Sequence, residues 1–145
     1  AGDNTNIARS SPVQIPGTSW SKVSSATYSV LATRTDGTLW AWGYNAHGQL
    51  AKNSANDHQS SPTQIPGTSW STPISVGQGA LGAIRTDGTL WTWGQNPYGE
   101  LGVPSVGTAN RSSPIQVGSE TNWSSDGVQT RQTAVDSGGF LKRTS

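Results

Sequence analysis

Polar and apolar positions alternate in short stretches along this chain, and no long apolar run breaks the pattern. "SVLATRT" (29–35) and "TLWAWG" (38–43) read as two strands, bounded by turn residues. Val23 to Ser25 is a shorter strand candidate, and Val13-Gln14-Ile15 is another, closed by Pro16-Gly17. Asp36-Gly37 between the two longer strands predicts a two-residue type I′ hairpin. That turn would set Thr35 opposite Thr38, Thr33 opposite Trp40 and Leu31 opposite Trp42. Ala32, Arg34, Leu39 and Ala41 would then share the other face. In the same way Ile84, Trp91 and Trp93 would share one face, with Ala83, Arg85, Leu90 and Thr92 on the other. One face is bulky and the other mostly small, so sheets stacked face to face would fit the first into the second.

The pattern repeats. "RTDGTLWAWG" (34–43) returns as "RTDGTLWTWG" (85–94), and "RSSPVQIPGTSW" (9–20) returns as "QSSPTQIPGTSW" (59–70). "GYNAHGQL" (43–50) answers to "GQNPYGEL" (94–101). The interval is 51 residues between Asp36 and Asp87 and 50 between Trp20 and Trp70, so a loop absorbs the difference. A third copy starts at "RSSPIQVGSETNW" (111–123) and decays: "AVDSGGFLK" (134–142) stands where the Trp-bearing hairpin belongs. The units run over about 9–59, 60–110 and a degenerate 111–145 within a single domain spanning 1–145. Four short strands in about fifty residues make one propeller blade. The expected fold is therefore all-β, with propeller blades of four antiparallel strands.

Composition sharpens this picture. Only 31% of the residues are hydrophobic and 12% charged, yet there are seven Trp, 18 Gly and eight Pro. An aliphatic core is scarce, and Trp supplies large buried area at small conformational cost. The net charge is +1 and the nine basic residues are scattered, so nucleic-acid binding lacks its electrostatic footprint. No apolar run approaches the ~18 residues of a membrane span. There is no Cys, which excludes disulfides and Cys-bound zinc.

"RTDGTLWAWGYNAHGQL" resembles the RCC1 repeat. Asp36, Gly37, Trp42, Gly43, Asn45, Gly48, Gln49 and Leu50 fall on its pattern, as do Asp87, Gly88, Trp93, Gly94, Asn96, Gly99, Leu101 and Gly102. The wording looks most like bacterial and phage members. The family usually carries Gly and His before the first of these strands, and "SSATYSV" (24–30) and "SVGQGAL" (75–81) hold no His. The resemblance implies a closed ring of about seven blades, or about 357 residues at this period, of which the chain holds roughly 2.8 units. Two or three blades alone leave broad apolar faces open. Those faces are expected to be covered by further blades of a longer chain, by other copies, or by another protein. The worn third unit, "GGFLKRTS" included, resembles a terminal cap.

Little chemistry is visible. His47 lies in the "YNAHGQL" loop and His58 in "SANDHQSS", neither within a nucleophile motif or a set of metal-ligating carboxylates. No catalytic, metal or cofactor residue is assigned, and the chain is expected not to be an enzyme. Asp36 and Asp87 read as turn residues. Together with Gly37, Trp40, Trp42, Gly43, Gly88, Trp91, Trp93 and Gly94 they form the structural set. Arg34 and Arg85 either pair with a carboxylate of a neighbouring blade, the favoured reading, or clamp an acidic partner. Tyr44, His47, Tyr98 and Glu100 are the candidate interaction residues, because their loops vary on a constant Gly and Asn frame. "NRS" (110–112) and "NWS" (122–124) match the glycosylation acceptor pattern.

The function expected from these features is a protein-binding or structural module within a larger assembly. Its partners are protein: self-association, or another chain that completes the propeller. A lectin-like propeller binding glycan through Trp and Tyr is one alternative, and a piece of a longer RCC1-like regulator or inhibitor is another. Low charge with abundant Ser and Thr favours an extracellular or virion surface.

Overall fold

The structure is a computed structural model that describes residues 2–124 and the short strand 142–143. Two four-stranded antiparallel sheets dominate it. The first blade is β1 (Trp20–Ser25), β2 (Ser29–Arg34), β3 (Leu39–Gly43) and β4 (Gln59–Ile65), hydrogen-bonded in that order. The second is β5 (Trp70–Ser75), β6 (Ala80–Arg85), β7 (Leu90–Gly94) and β8 (Arg111–Gln116). A 3-10 turn, Pro104–Val106, interrupts the long loop before β8. A third sheet begins with β9 (Trp123–Ser124) paired to β10 (Lys142–Arg143). The rest of the worn third hairpin lies outside the described residues.

Two sequence expectations are corrected. Val13-Gln14-Ile15 is not a strand. The fourth strand of the first blade comes from the next copy of the same motif, Gln59–Ile65, and the second blade is closed likewise by Arg111–Gln116. The sheet and the sequence unit are thus offset by one strand. The second and third "SSP" segments each close the blade before them, and the two blades are tied by the chain itself.

The hairpin is also one residue longer than a type I′ turn. Gly37 N–H donates to Arg34 O at 3.1 Å and Arg34 N–H to Thr38 O at 3.0 Å. Only Gly37 has positive φ, at 83°, and Asp36 does not. This is a three-residue loop, a type I turn followed by a left-handed Gly. The Asp36 carboxylate selects it by accepting from both the Thr38 backbone N–H (3.0 Å) and hydroxyl (2.6 Å). A one-residue change of register exchanges the faces. Ala32 now pairs with Trp40 and Val30 with Trp42, while Leu31 pairs with Ala41. Arg34 therefore lies on the Trp face, not opposite it. The second blade repeats the arrangement, with Ala83 opposite Trp91 and Leu81 opposite Trp93.

The blades meet face to face, with β5 against β1 and β2. Leu31, Leu39, Ala41, Leu50 and Ile65 of the first blade pack on Trp70, Leu81, Ala83 and Trp93 of the second in one buried cluster. Trp93 is fully buried and its indole N–H donates to Gln49 O at 2.8 Å. Lys22 Nζ reaches Thr72 Oγ1 at 3.1 Å, and Trp70 N–H donates to Gly37 O at 3.0 Å. Bulky-into-small stacking therefore holds, with the register-corrected membership. On the far side of the second blade, Ile74, Ile84 and Leu90 form a smaller cluster against which Trp123 packs.

Candidate interaction site

The repeat makes its own comparison of a covered face with an open one. In the second blade Trp70, Pro73, Leu81 and Trp93 are buried beneath the first blade. The matching positions of the first blade are Trp20, Val23, Val30 and Trp42. Val23 is 70% exposed where Pro73 is buried. Trp20 and Val30 are half-buried where Trp70 and Leu81 are buried. Trp42 is buried, and Gly2 of the N-terminal segment lies close against its indole. Trp20, Val23, Tyr28, Val30 and Trp42 line an apolar cleft of about 470 Å³ on this face. Tyr28 is 73% exposed at its mouth.

A second feature lies at the loop end of the first blade. Tyr44 stacks on His58 with ring centroids 4.9 Å apart, and meets Tyr28 edge-on at 5.9 Å and His47 at 6.3 Å. Tyr44 is 39% exposed. Of the predicted loop residues, Tyr44 and His47 are brought together here. Tyr28 and His58 complete the cluster and were not singled out by the loop comparison. His58 has a structural task as well: its Nδ1 accepts the Asn45 backbone N–H at 2.9 Å. Asn110 Oδ1 does the same for Asn96 in the second blade.

Tyr98 and Glu100 lie in the corresponding loop of the second blade. Tyr98 is almost fully exposed. Glu100 accepts the Tyr98 backbone N–H at 2.8 Å, as Gln49 accepts that of His47 at 2.9 Å. Glu100 is thus engaged in shaping its own loop. Asn45 and Asn96, fully buried, pin both loops through bonds to Leu50 and Leu101 N–H and to loop carbonyls.

Two members of the structural set in each blade, Asp36 with Trp40 and Asp87 with Trp91, are joined by a hydrogen-bond relay through a threonine. Asp36 accepts from the Thr38 hydroxyl, and Thr38 Oγ1 in turn accepts the Trp40 indole N–H at 2.8 Å. Asp87, Thr89 and Trp91 repeat this at 2.7 and 2.9 Å. The Thr hydroxyl, then the Thr backbone N–H, hold both carboxylates below their ordinary value of 3.8. Trp40 then stacks on Arg34, whose guanidinium carbon is 4.4 Å from that ring and 4.6 Å from the Trp20 ring. Arg85 lies likewise between Trp70 (4.7 Å) and Trp91 (4.6 Å). Neither Arg pairs with a neighbouring blade's carboxylate among the described residues, where the ion pairs are Arg9–Asp3 and Lys52–Asp57. The expected pairing of Arg34 and Arg85 with a neighbouring blade's carboxylate is not formed among the described residues, where each guanidinium rests against two indoles.

No group of three or more His, Cys, Asp or Glu gathers at one place among the described residues. No helix there is long and apolar enough to cross a membrane.

Comparison with known proteins agrees with this geometry. The family model described as the regulator of chromosome condensation (RCC1) repeat matches residues 36–84 and 87–135, and a second RCC1 repeat model matches 20–49. The mitochondrial RCC1 domain-containing protein RUG3 of Arabidopsis thaliana is 28% identical over 120 residues, covering 80% of this chain and 27% of that protein. The ultraviolet-B receptor UVR8 of the same plant is also 28% identical over 120 residues, covering 80% of this chain and 26% of its own length. Yeast RCC1 (Prp20), solved with Kap60, superposes with a TM-score of 0.71 at 21% identity, over 85% of this chain and 28% of its own. Human WBSCR16 gives a TM-score of 0.59 at 24% identity, over 68% of this chain and 25% of its own. The chain spans about a quarter of the length of these relatives. The matched repeats, the two four-stranded blades and the paired Trp faces place this chain in the RCC1 repeat family.

Proposed function

We propose that the chain is a non-enzymatic protein-binding module whose Trp-bearing blade face docks a further RCC1-type blade within a larger assembly. The observation that carries this is the contrast between Val23, 70% exposed, and Pro73, buried at the matching position beneath a neighbouring blade. A surface built to the pattern of a buried one, with an apolar cleft at its centre, favours a partner of matching shape. The first blade's other face supplies the template: Leu31, Leu39, Ala41 and Ile65 are what covers a Trp face here. Yeast RCC1, solved with Kap60, supports a protein-binding role by likeness alone. The test is the solution mass of the purified chain beside that of Val23→Asp. The account expects the chain to associate and the variant to stay at 15.1 kDa.

A glycan reading draws on the Tyr28–Tyr44–His58 cluster, which borders a cleft shared with Gln49, Gln78 and Gln95. Aromatic faces beside amides suit a sugar. Glycan-array screening checks it, with Tyr44→Ala expected to abolish any binding found.

A further inference from the structure

The ten-residue sentence "RTDGTLWAWG" is repeated almost letter for letter, and packing of its Trp does not by itself require the Arg, the Asp and the second Thr. The geometry gives each a task. Asp36 fixes Thr38, the Thr38 hydroxyl orients the Trp40 indole, and the Arg34 guanidinium rests against Trp40 and Trp20. Asp87, Thr89, Trp91 and Trp70 do the same for Arg85. We infer that each blade carries a preorganised guanidinium clamp for a carboxylate, and that the partner presents an acidic polypeptide segment to it.

Three observations carry the inference. First, neither guanidinium has a carboxylate at ion-pair distance among the described residues, although each lies near enough to its own turn's Asp to help lower that carboxyl's pKa. The Nε of each is also buried without a hydrogen-bond partner among the described residues. A cation held this dry gains most from a charged acceptor. Second, each guanidinium rests against two indoles rather than a carboxylate, with Trp20 and Trp40 meeting Arg34 nearly at right angles to one another, at 84°. The edge of a guanidinium carries the N–H donors that match a carboxylate in bidentate fashion. Third, blade packing does not consume the clamp. Arg85 belongs to the blade whose Trp face is already covered, yet it still lines a cleft of about 460 Å³ with Trp70, Trp91 and Lys52. Lys52 is already paired with Asp57 at 2.6 Å, which leaves Arg85 as the cation of that cleft without a carboxylate.

Two clamps on adjacent blades favour a ligand with more than one carboxylate, since the second contact is then intramolecular. The inference rests on the protein-binding reading for the nature of the partner and adds its chemistry. Blade docking through the Val23 face can hold even where the clamp fails.

The experiment follows the Arg34 and Arg85 Nε–H signals of the nitrogen-labelled chain by NMR. Three probes are titrated: an oligoglutamate peptide, its oligoglutamine counterpart, and glutarate. The peptide of Glu is expected to shift both signals saturably, the peptide of Gln to leave them unmoved, and glutarate to bind at least about tenfold more weakly. Arg34→Lys with Arg85→Lys keeps the formal charge and removes the planar fork, and is expected to weaken the Glu peptide by about tenfold or more. Thr38→Val with Thr89→Val, which frees the indoles and spares the Arg, is expected to weaken it as well. Near-ultraviolet circular dichroism checks that each variant is folded. Unmoved Nε–H signals, equal response to the Gln peptide, or undiminished binding by the Lys variant overturns the clamp. Glutarate binding as tightly as the Glu peptide overturns the polypeptide ligand. The solution mass of the unmodified chain, measured separately, reports on blade docking alone.

Discussion

At the residue scale the chain is governed by side chains that hold other side chains in place. Asp36 and Asp87 are the clearest case. Their carboxylates are held below 3.8 by the Thr38 and Thr89 hydroxyls and backbone N–H groups. A native-state pKa below the unfolded one contributes stability above the unfolded value. That contribution is lost as pH falls through the native value. Thermal unfolding followed from pH 7 downward should therefore show a loss of stability setting in below about pH 4. Asp36→Asn with Asp87→Asn should flatten that acid limb while lowering stability at neutral pH. Gly37 offers a second test. Its φ is 83°, and a Cβ there would strike the Thr68 backbone carbonyl. Gly37→Ala should cost about 1–2 kcal/mol from the left-handed backbone alone, and more from the contact. Chemical denaturation against Gly99→Ala, where φ is 79° and nothing lies within 4 Å, separates the two contributions.

At the scale of the element, the blade was legible in the sequence because the period, the Trp pairs and the Asn frame all recur. The hairpin register was not. Asp-Gly between two alternating runs fits a two-residue turn and a three-residue one equally well. The choice falls to Asp36 accepting from Thr38, which an alternation pattern does not contain. One residue of register then moved Arg34 and Arg85 to the Trp face, where each guanidinium rests against two indoles. The fourth strand was misplaced for a similar reason. Val13–Ile15 and the strand Gln59–Ile65 carry nearly the same motif, and only topology says which blade each copy closes. In the candidate site, Tyr44 and His47 were visible as loop variation, whereas Tyr28 and His58 join them only through folding. The same element logic predicts unequal costs at matched positions. Trp93→Ala should cost about 3–5 kcal/mol and Leu81→Ala about 2–5 kcal/mol, since both are fully buried beneath the first blade. Val30→Ala, on the open face, should cost distinctly less. Denaturant titration of the variants checks the ranking.

For the whole molecule, two blades share one core, and the face that repeats the covered one is open. Burying apolar surface there is worth roughly 25 cal/mol per Å², enough to drive association between surfaces of matching shape. The N-terminal segment reaches Trp42 through Gly2 and Trp20 through Gly17, leaving Val23 and Tyr28 in solvent. The Val23 cleft is apolar and the guanidinium clamps are charged, so salt should affect contacts to them differently. Association through the Val23 face should persist in high salt, while any binding of acidic peptide should weaken steeply.

Light scattering on a sizing column, for the chain and for Val23→Asp, tests the central claim that the open Trp face is a docking surface. Docking through this face gives discrete multiples of 15.1 kDa for the chain and a monomer for the variant. A chain that stays at 15.1 kDa at every concentration, or an assembly that Val23→Asp leaves intact, would contradict it.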